Sequence, residues 1–414
     1  MVIAGREHTG PPARRHTHPA SGAAAASGRV LDRDLLSAGV YISVELAPLH
    51  VPERAGVVAA VRELIGLGAP ARAGRTFDGL RWRYDPDRLD EQAERMVRPL
   101  HPEMTGDAGL PRLREAVDAD LPFTVFLGED RASLCIDHRL GDGFLSVMLT
   151  AGALTGRRPP SVFTTARDAD PLRAALAATF LRHPTRAVAV VHDRLTSRRP
   201  THSGPTVPAE RGSLDLVTGR MDATTYRSVA AWSRGRVPPT LAMMFALRAA
   251  LERVGLPVMD EGSILVDLRR YLPSGRSTLA NFVVGHPVAT TDGLDAAGAR
   301  FSHDLHVGRP LAALATGLVT GGWRRPASAD VPAAARPILS DMGFLRALEP
   351  LPWAGDAVVR VSVDPAGRNG ITALTAVLQR RLNVSVSFDG SLYERDAIVA
   401  ACDLLCHDPK GLLP

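Results

Sequence analysis

The chain has 414 residues, 45% of them hydrophobic, and carries 49 Lys or Arg against 44 Asp or Glu, a formal net charge of +5. That length suits two domains of about 200 residues better than one, and no run of ~18 apolar residues offers a membrane span. The basic surplus does not read as a nucleic-acid footprint, because it is nearly all Arg, scattered in pairs such as Arg269–Arg270 and Arg380–Arg381 with no interleaved aromatic stripe.

Residues 1–31 begin MVIAGREHTGPPARRHTHPASG, rich in Pro, Gly, Ala and His. They lack the compact apolar segment of a secretion signal and are expected to form a disordered tail. A first half is expected over 32–195. There GVYISVEL reads as a strand, ERAGVVAAVRELIGLG as a helix, and FTVFLGEDRASLCIDH as a strand; FLSVML, after a polar turn, reads as the start of a helix. DPLRAALAATFLRHPTRAVAVVHDRL reads as a further helical run, started by Asp170 and Pro171. Residues 196–212 hold turn formers and no apolar period, the pattern of a crossover linker.

The second half, 213–414, opens on the alternating strand SLDLVTGRMD, a helix capped near Asp222, and the striped helix PTLAMMFALRAALERVG. Strands SILVDL and NFVVGHPVAT flank a loop, and 291–336 looks helical with loops. After RPILSDMG come three strands, AVVRVSVD, ITALTAVL and LNVSVSFDG, and a final helix ERDAIVAACDLL. Strands and helices alternate irregularly in both halves, so the expected fold class is α/β with mixed sheets.

One turn carries the chemistry. In CIDHRLGDGFLSVML, His138 is the only histidine of 13 with an aspartate, Asp142, four residues later, and Gly143 follows. A histidine can take a proton from a hydroxyl or amine as that group attacks an acyl carbon, provided its ring is held at a fixed angle. The aspartate at this spacing is expected to hold the turn by pairing with an arginine elsewhere, and the glycine to leave room for a substrate chain against the backbone.

The other candidates read as structure. Lys410 is the only lysine and sits in neither a Schiff-base nor a phosphate-loop context. Cys135, Cys402 and Cys406 are too few for a disulfide framework and point to a reducing cytoplasm. Cys402, Cys406 and His407 on the last helix fall short of a structural metal set, so no metal is expected. Cys135 alternates to the strand face opposite His138. Ser340 lacks the setting of a nucleophile elbow. His286, His303 and His306 have no carboxylate at convincing spacing and read as structural or exposed; the tail histidines His8, His16 and His18 and the tryptophans Trp232, Trp323 and Trp353 carry no function.

DHRLGDG resembles the HHxxxDG motif of the acyltransferase superfamily that includes condensation domains of non-ribosomal peptide synthetases, polyketide-associated acyltransferases, wax ester synthases and, more distantly, plant BAHD acyltransferases. LPFTVFLGEDRASLCIDH is similar to that family's strand into the motif, SILVDLRRYLP to its second-half strand ending in Arg, TLANFVVGHPVAT to its crossover segment, PILSDMG to its SNxG element and LNVSVSFDG to its closing strand. The resemblance runs from about 32 to 406. It implies two similar chloramphenicol-acetyltransferase-like halves with mixed sheets, forming a V-shaped pseudo-dimer around a central tunnel.

What the resemblance implies for function is direct acyl transfer, without an acyl-enzyme or a cofactor. The donor is an acyl-CoA or acyl carrier protein thioester, partners that the modest basic surface suits, and the acceptor is a small alcohol or, less favoured, an amine. The chain is expected to act as a cytoplasmic monomer without nucleic acid. His138, Asp142 and Gly143 match the catalytic motif, Arg269 is the expected partner of Asp142, and Asp137, Asn281, Ser340 and Asp341 are expected to line the site. Two positions depart from the family pattern. Asp137 replaces the first histidine, and Asp341 replaces Asn, where a carboxylate near a developing oxyanion is unhelpful unless neutral or turned away. Formation of an amide by a free-standing condensation enzyme is one alternative. A degenerate module that only binds a carrier protein is the other.

Overall fold

The computed structural model describes residues 24–155, 161–165, 171–196, 204–210, 212–320 and 330–414. Two large sheets form its frame. The first has five strands, in the order Trp353–Val363, Tyr41–Leu49, Ala132–Asp137, Phe123–Leu127 and Val97–Pro99. Only the last of its pairings is parallel. The second runs Val283–Ala289, Glu261–Asp267, Arg336–Phe344, Gly370–Leu378, Arg381–Asp389, Leu214–Met221, with parallel pairs on both sides of Arg336–Phe344. Both sheets are therefore mixed, as the irregular order of elements implies.

Each sheet packs against helices. Val57, Val61, Leu64 and Ile65 of the helix Arg54–Ile65 join Leu145 and Leu149 of Gly143–Leu154 in one core with Val44, Phe123 and Ile136. Helices Pro239–Arg253 and Arg395–His407 pack Leu241, Phe245, Ile398 and Leu405 against Val217, Ile371 and Val384 in a second core. Removing such aliphatic surface from water is the dominant favourable contribution to both layers.

The two sheets meet along Trp353–Val363. Its outer edge leaves backbone amides that no strand bonds, and such edges need partners. Side chains of Arg381–Asp389 supply them. Val359, Val361 and Val363 donate their N–H groups to Asn383 Oδ1, Ser385 Oγ and Ser387 Oγ at 3.3, 3.0 and 3.2 Å.

The structure revises several sequence expectations. Of the expected tail, residues 1–23 lie outside the described residues, but Ala26–Arg29 forms a strand paired with Arg81–Tyr84, where Gly28 lies close under the Trp82 ring. FTVFLGEDRASLCIDH is two strands, because Gly128 N–H bonds Arg131 O and turns the chain back on itself. Of the run expected from Asp170, which lies outside the described residues, the part from Pro171 breaks before Pro184, whose ring cannot continue a helix, leaving Pro171–Leu176 with a π turn and then Pro184–Thr196. Within the expected linker, Thr206–Val207 pairs with Val331–Pro332, while 197–203 and 211 lie outside the described residues, as do 321–329 with Trp323.

Candidate active site

The strand Ala132–Asp137 delivers His138 to the interior face of the first sheet. Its pairing with Tyr41–Leu49 runs one residue further, His138 N–H donating to Val40 O at 2.9 Å. Alternation then places Asp137 on the opposite face. Asp137 does not line the site: its buried carboxylate accepts from Arg139 N–H at 2.8 Å and from the Arg139 guanidinium.

The turn itself is clamped by a residue that nothing in the sequence marks. Arg72, fully buried, donates to Leu140 O at 2.7 Å, to Arg139 O at 3.0 Å and to Asp34 Oδ2 at 2.8 Å. It does so from φ +67, a strained backbone for a residue with a Cβ. Two glycines let the turn pack tightly. A Cβ on Gly141 would meet Leu279 O at 2.6 Å, and one on Gly143 would meet Met342 Sδ at 2.6 Å. Met342, which lines the same cavity as His138, lies directly beside Gly143.

Asp142 caps the helix Gly143–Leu154 and ties it to the other sheet. Its Oδ1 accepts from Phe144 N–H at 3.1 Å and from Arg269 Nη2 at 3.2 Å; Oδ2 accepts from Arg269 Nη1 at 2.8 Å and from Phe282 N–H at 3.0 Å. Arg269 is spent in turn. Besides Asp142 it donates to Thr278 O, Ala280 O and Asp267 Oδ1, which occupies all five of its N–H groups. Burial pushes the Asp142 carboxyl up, but the Arg269 charge and hydrogen bonds and the Phe282 amide outweigh it and hold it below the usual range. The expected Asp142–Arg269 pair is present, and neither group is left over for a substrate.

His138 is different. Among the described residues no carboxylate bonds its ring. Nδ1 lies 3.1 Å from the side-chain amide of Asn281, which also bonds Ser37 Oγ at 3.0 Å. The ring faces a cavity of about 600 Å³ between the two sheets, lined also by Asp142, Gly143, Arg269, Ser340 and Asp341. That volume lies within the usual range for a small-molecule site. The Asp341 carboxylate at the cavity wall is held by protein donors: Oδ1 accepts from Gly343 N–H at 2.9 Å and Thr375 Oγ1 at 3.2 Å, Oδ2 from Thr240 Oγ1 at 3.1 Å. This geometry needs the irregular register between Asp341 and Phe344, where Gly343 takes φ +64.

The remaining candidates lie elsewhere. Cys135 is fully buried, and burial pushes its thiol up to about 12. Cys402 and Cys406 are buried beneath Gly219. His286 does have an acidic partner: its Nε2 lies 3.0 Å from Asp304 Oδ2, both buried, a pairing 18 residues apart in sequence.

No family model and no curated protein matches this sequence. Solved structures do match. The first condensation domain of the CDA synthetase superposes with a TM-score of 0.58 at 15% identity over 90% of each chain. The fold is that of condensation-domain-like proteins. Trichothecene 15-O-acetyltransferase from Fusarium sporotrichioides matches at TM-score 0.57 and 11% identity, covering 95% of this chain and 97% of its own. Polyketide synthase associated protein 5 from Mycobacterium tuberculosis matches at TM-score 0.51 and 13% identity, covering 92% and 98%. The condensation-like resemblance of the DHRLGDG turn and the whole-chain fold thus agree.

Proposed function

We propose that the chain is an acyltransferase that moves an acyl group from a CoA or carrier-protein thioester directly to a hydroxyl. In this reading the two sheets belong to the halves of a V-shaped pseudo-dimer and the cavity is the middle of a tunnel between them. One observation carries it: His138 is the histidine that faces the large cavity while the acid beside it is consumed by Arg269.

His138 Nε2 would take the proton of the hydroxyl as its oxygen bonds the acyl carbon, and return it to the sulfur as the C–S bond breaks, releasing the carrier or CoA as its free thiol. That needs the ring proton on Nδ1, and therefore a carbonyl rather than an amino group of Asn281 facing Nδ1. The two ends of an amide occupy the same space, so the heavy-atom distances suit this orientation as well as the reverse. Ser37 Oγ then donates to the same carbonyl. The Asp142–Arg269 pair fixes the turn, and Asn281 and Arg269 bring the second sheet's loop against it. The Asp137 and Asp341 carboxylates are held by protein donors, which fits a site where neither opposes a developing oxyanion. The degenerate, merely carrier-binding module stays the alternative that the missing first histidine favours.

The test is mass spectrometry of purified protein with acyl-CoA and acyl-carrier thioesters and mixed alcohols and amines. Wild type should form an ester that His138→Ala forms roughly 10²–10⁴-fold more slowly, the usual worth of a general base. Equal product from both proteins would remove His138 from the reaction, and amide product alone would reassign the acceptor.

A further inference from the structure

We propose that one substrate carries an extended apolar chain, seated in a slot that runs from His138 between the two sheets. This rests on the acyl-transfer reading and names its substrate class. Val40, Ile42 and Val44 face the cavity along one strand, and Val359, Val361 and Val363 along its neighbour. The register sets them side by side, Val363 opposite Ile42 and Val361 opposite Val44. The facing wall is Ile338, Thr372, Leu374 and Ala376 of the six-stranded sheet.

These residues fix the direction and the length of the slot. His138 N–H bonds Val40 O, so the histidine marks one end. The neighbouring Val363 and Thr372 lie at that end, close to the turn 364–369 that joins their strands. Four residues along each strand, Val44, Val359 and Ala376 mark the other, with Leu345 and Leu348 beside them. Strands rise about 3.4 Å per residue, which makes the apolar wall beyond His138 roughly 13 Å long. Val44, Val359, Ala376, Leu345 and Leu348 are all buried.

The charged groups of the wall already have protein partners, so a polar chain would meet mainly a few hydroxyls, such as those of Ser146, Ser340 and Thr372, set among the apolar side chains. Asp142 and Asp267 are bound to Arg269, and Asp341 to Gly343, Thr240 and Thr375. Asp364, at the His138 end, is bound to Arg114. Arg346 lies at the exposed rim beside Phe344. Buried polar groups of a substrate would lose water with little replacement, whereas each methylene placed in the slot should tighten binding about fourfold.

The experiment measures binding to His138→Ala by calorimetry, and turnover by wild type, across acyl-CoAs from acetyl to palmitoyl and straight-chain alcohols from ethanol to hexadecanol. We expect affinity to climb about fourfold per methylene in one series and then level off; the series that climbs identifies donor or acceptor as the source of the chain. Ala376→Phe should move the plateau to a shorter chain. Leu374→Ala, which shortens a wall residue, should change the preferred length in the opposite sense and serves alone if the bulkier variant does not fold. Equal affinity for short and long chains in both series, or a profile indifferent to the slot variants, would overturn the proposal. A chain-length gradient in binding with no product from any wild-type mixture would instead leave the slot standing and defeat the transferase reading.

Discussion

Of the described histidines that have an aspartate close by, His138 and His286 make the sharpest contrast, and His138 alone of these two has room to work. His286 Nε2 bonds Asp304 Oδ2 at 3.0 Å, Arg309 bonds the other carboxylate oxygen at 3.2 Å, and the ring leans on Phe301 over a void of about 20 Å³. His138 has Asp142 four residues away, yet Arg269 takes that carboxylate, an amide holds the ring, and about 600 Å³ opens in front of it. A histidine whose acid partner is satisfied by it is a packing element. A histidine whose neighbouring acid is satisfied by something else, and which borders space, can exchange a proton with a substrate. Proximity of His to Asp is thus a poor guide unless one asks what each carboxylate oxygen already accepts.

The sharpest way to break this contrast is to remove each imidazole. His138→Ala should cost roughly 10²–10⁴-fold in turnover and little stability. His286→Ala should leave turnover unchanged and lower stability by about 1–3 kcal/mol, because the buried Asp304 loses a partner. Urea unfolding and steady-state rates on the same preparations decide it, and the contrast fails if the two variants exchange phenotypes.

The next effect belongs to the acid. Asp142→Ala removes two of the five acceptors of the buried Arg269 guanidinium and leaves Asp267 as the carboxylate still bound to it, so the cost should approach the roughly 3–5 kcal/mol of breaking a buried ion pair. It should therefore cost folded yield as well as activity. Normal stability with lost turnover would make Asp142 a chemical rather than a structural group. The folded Asp142 carboxyl sits below its ordinary value near 3.9. Its contribution is accordingly complete above that value and fades as pH falls through the lower folded one. Asp304, buried but held down by His286 and Arg309, behaves in the same sense. Asp142→Ala should flatten the acid side of the stability–pH curve, and an unchanged slope would mean that other carboxylates set it.

Much of this was legible in the sequence where local pattern and burial agree. The strand into His138, the helix after Gly143 and the Arg269 partner follow from a spacing and a resemblance. Elsewhere the signal was absent or inverted. In LNVSVSFD the alternation suggests a polar outer face, but Asn383, Ser385 and Ser387 are buried because they complete the edge of the other sheet. Arg72 sits in APARAGR, where no period or motif marks it, and its role depends on a turn 67 and 68 residues away. His286 and Asp304 pair across a strand and a helix, which a search at motif spacing does not reach. The sequence encodes elements through neighbours, whereas these contacts are made by the packing of distant segments.

The finest test concerns the amide that separates His138 from His286 in kind. If Asn281 presents its carbonyl to Nδ1–H, replacing that carbonyl by a carboxylate should keep the tautomer and stabilise the imidazolium. A base must be unprotonated to act, so the acid limb of the kcat/KM profile should move to higher pH in Asn281→Asp, with activity retained on the alkaline side. Asn281→Leu should lower kcat across the whole range without that displacement, because the ring loses its orientation but gains no charge. A merely structural asparagine would give the two variants the same profile shape, differing only in the amount of folded protein. If instead the amide nitrogen faces Nδ1, the wild-type ring carries its proton on Nε2, and Asn281→Asp would raise activity at its optimum by turning the tautomer over. Nitrogen NMR of labelled histidine, reporting which ring nitrogen is protonated before and after the substitution, separates these outcomes without reference to turnover.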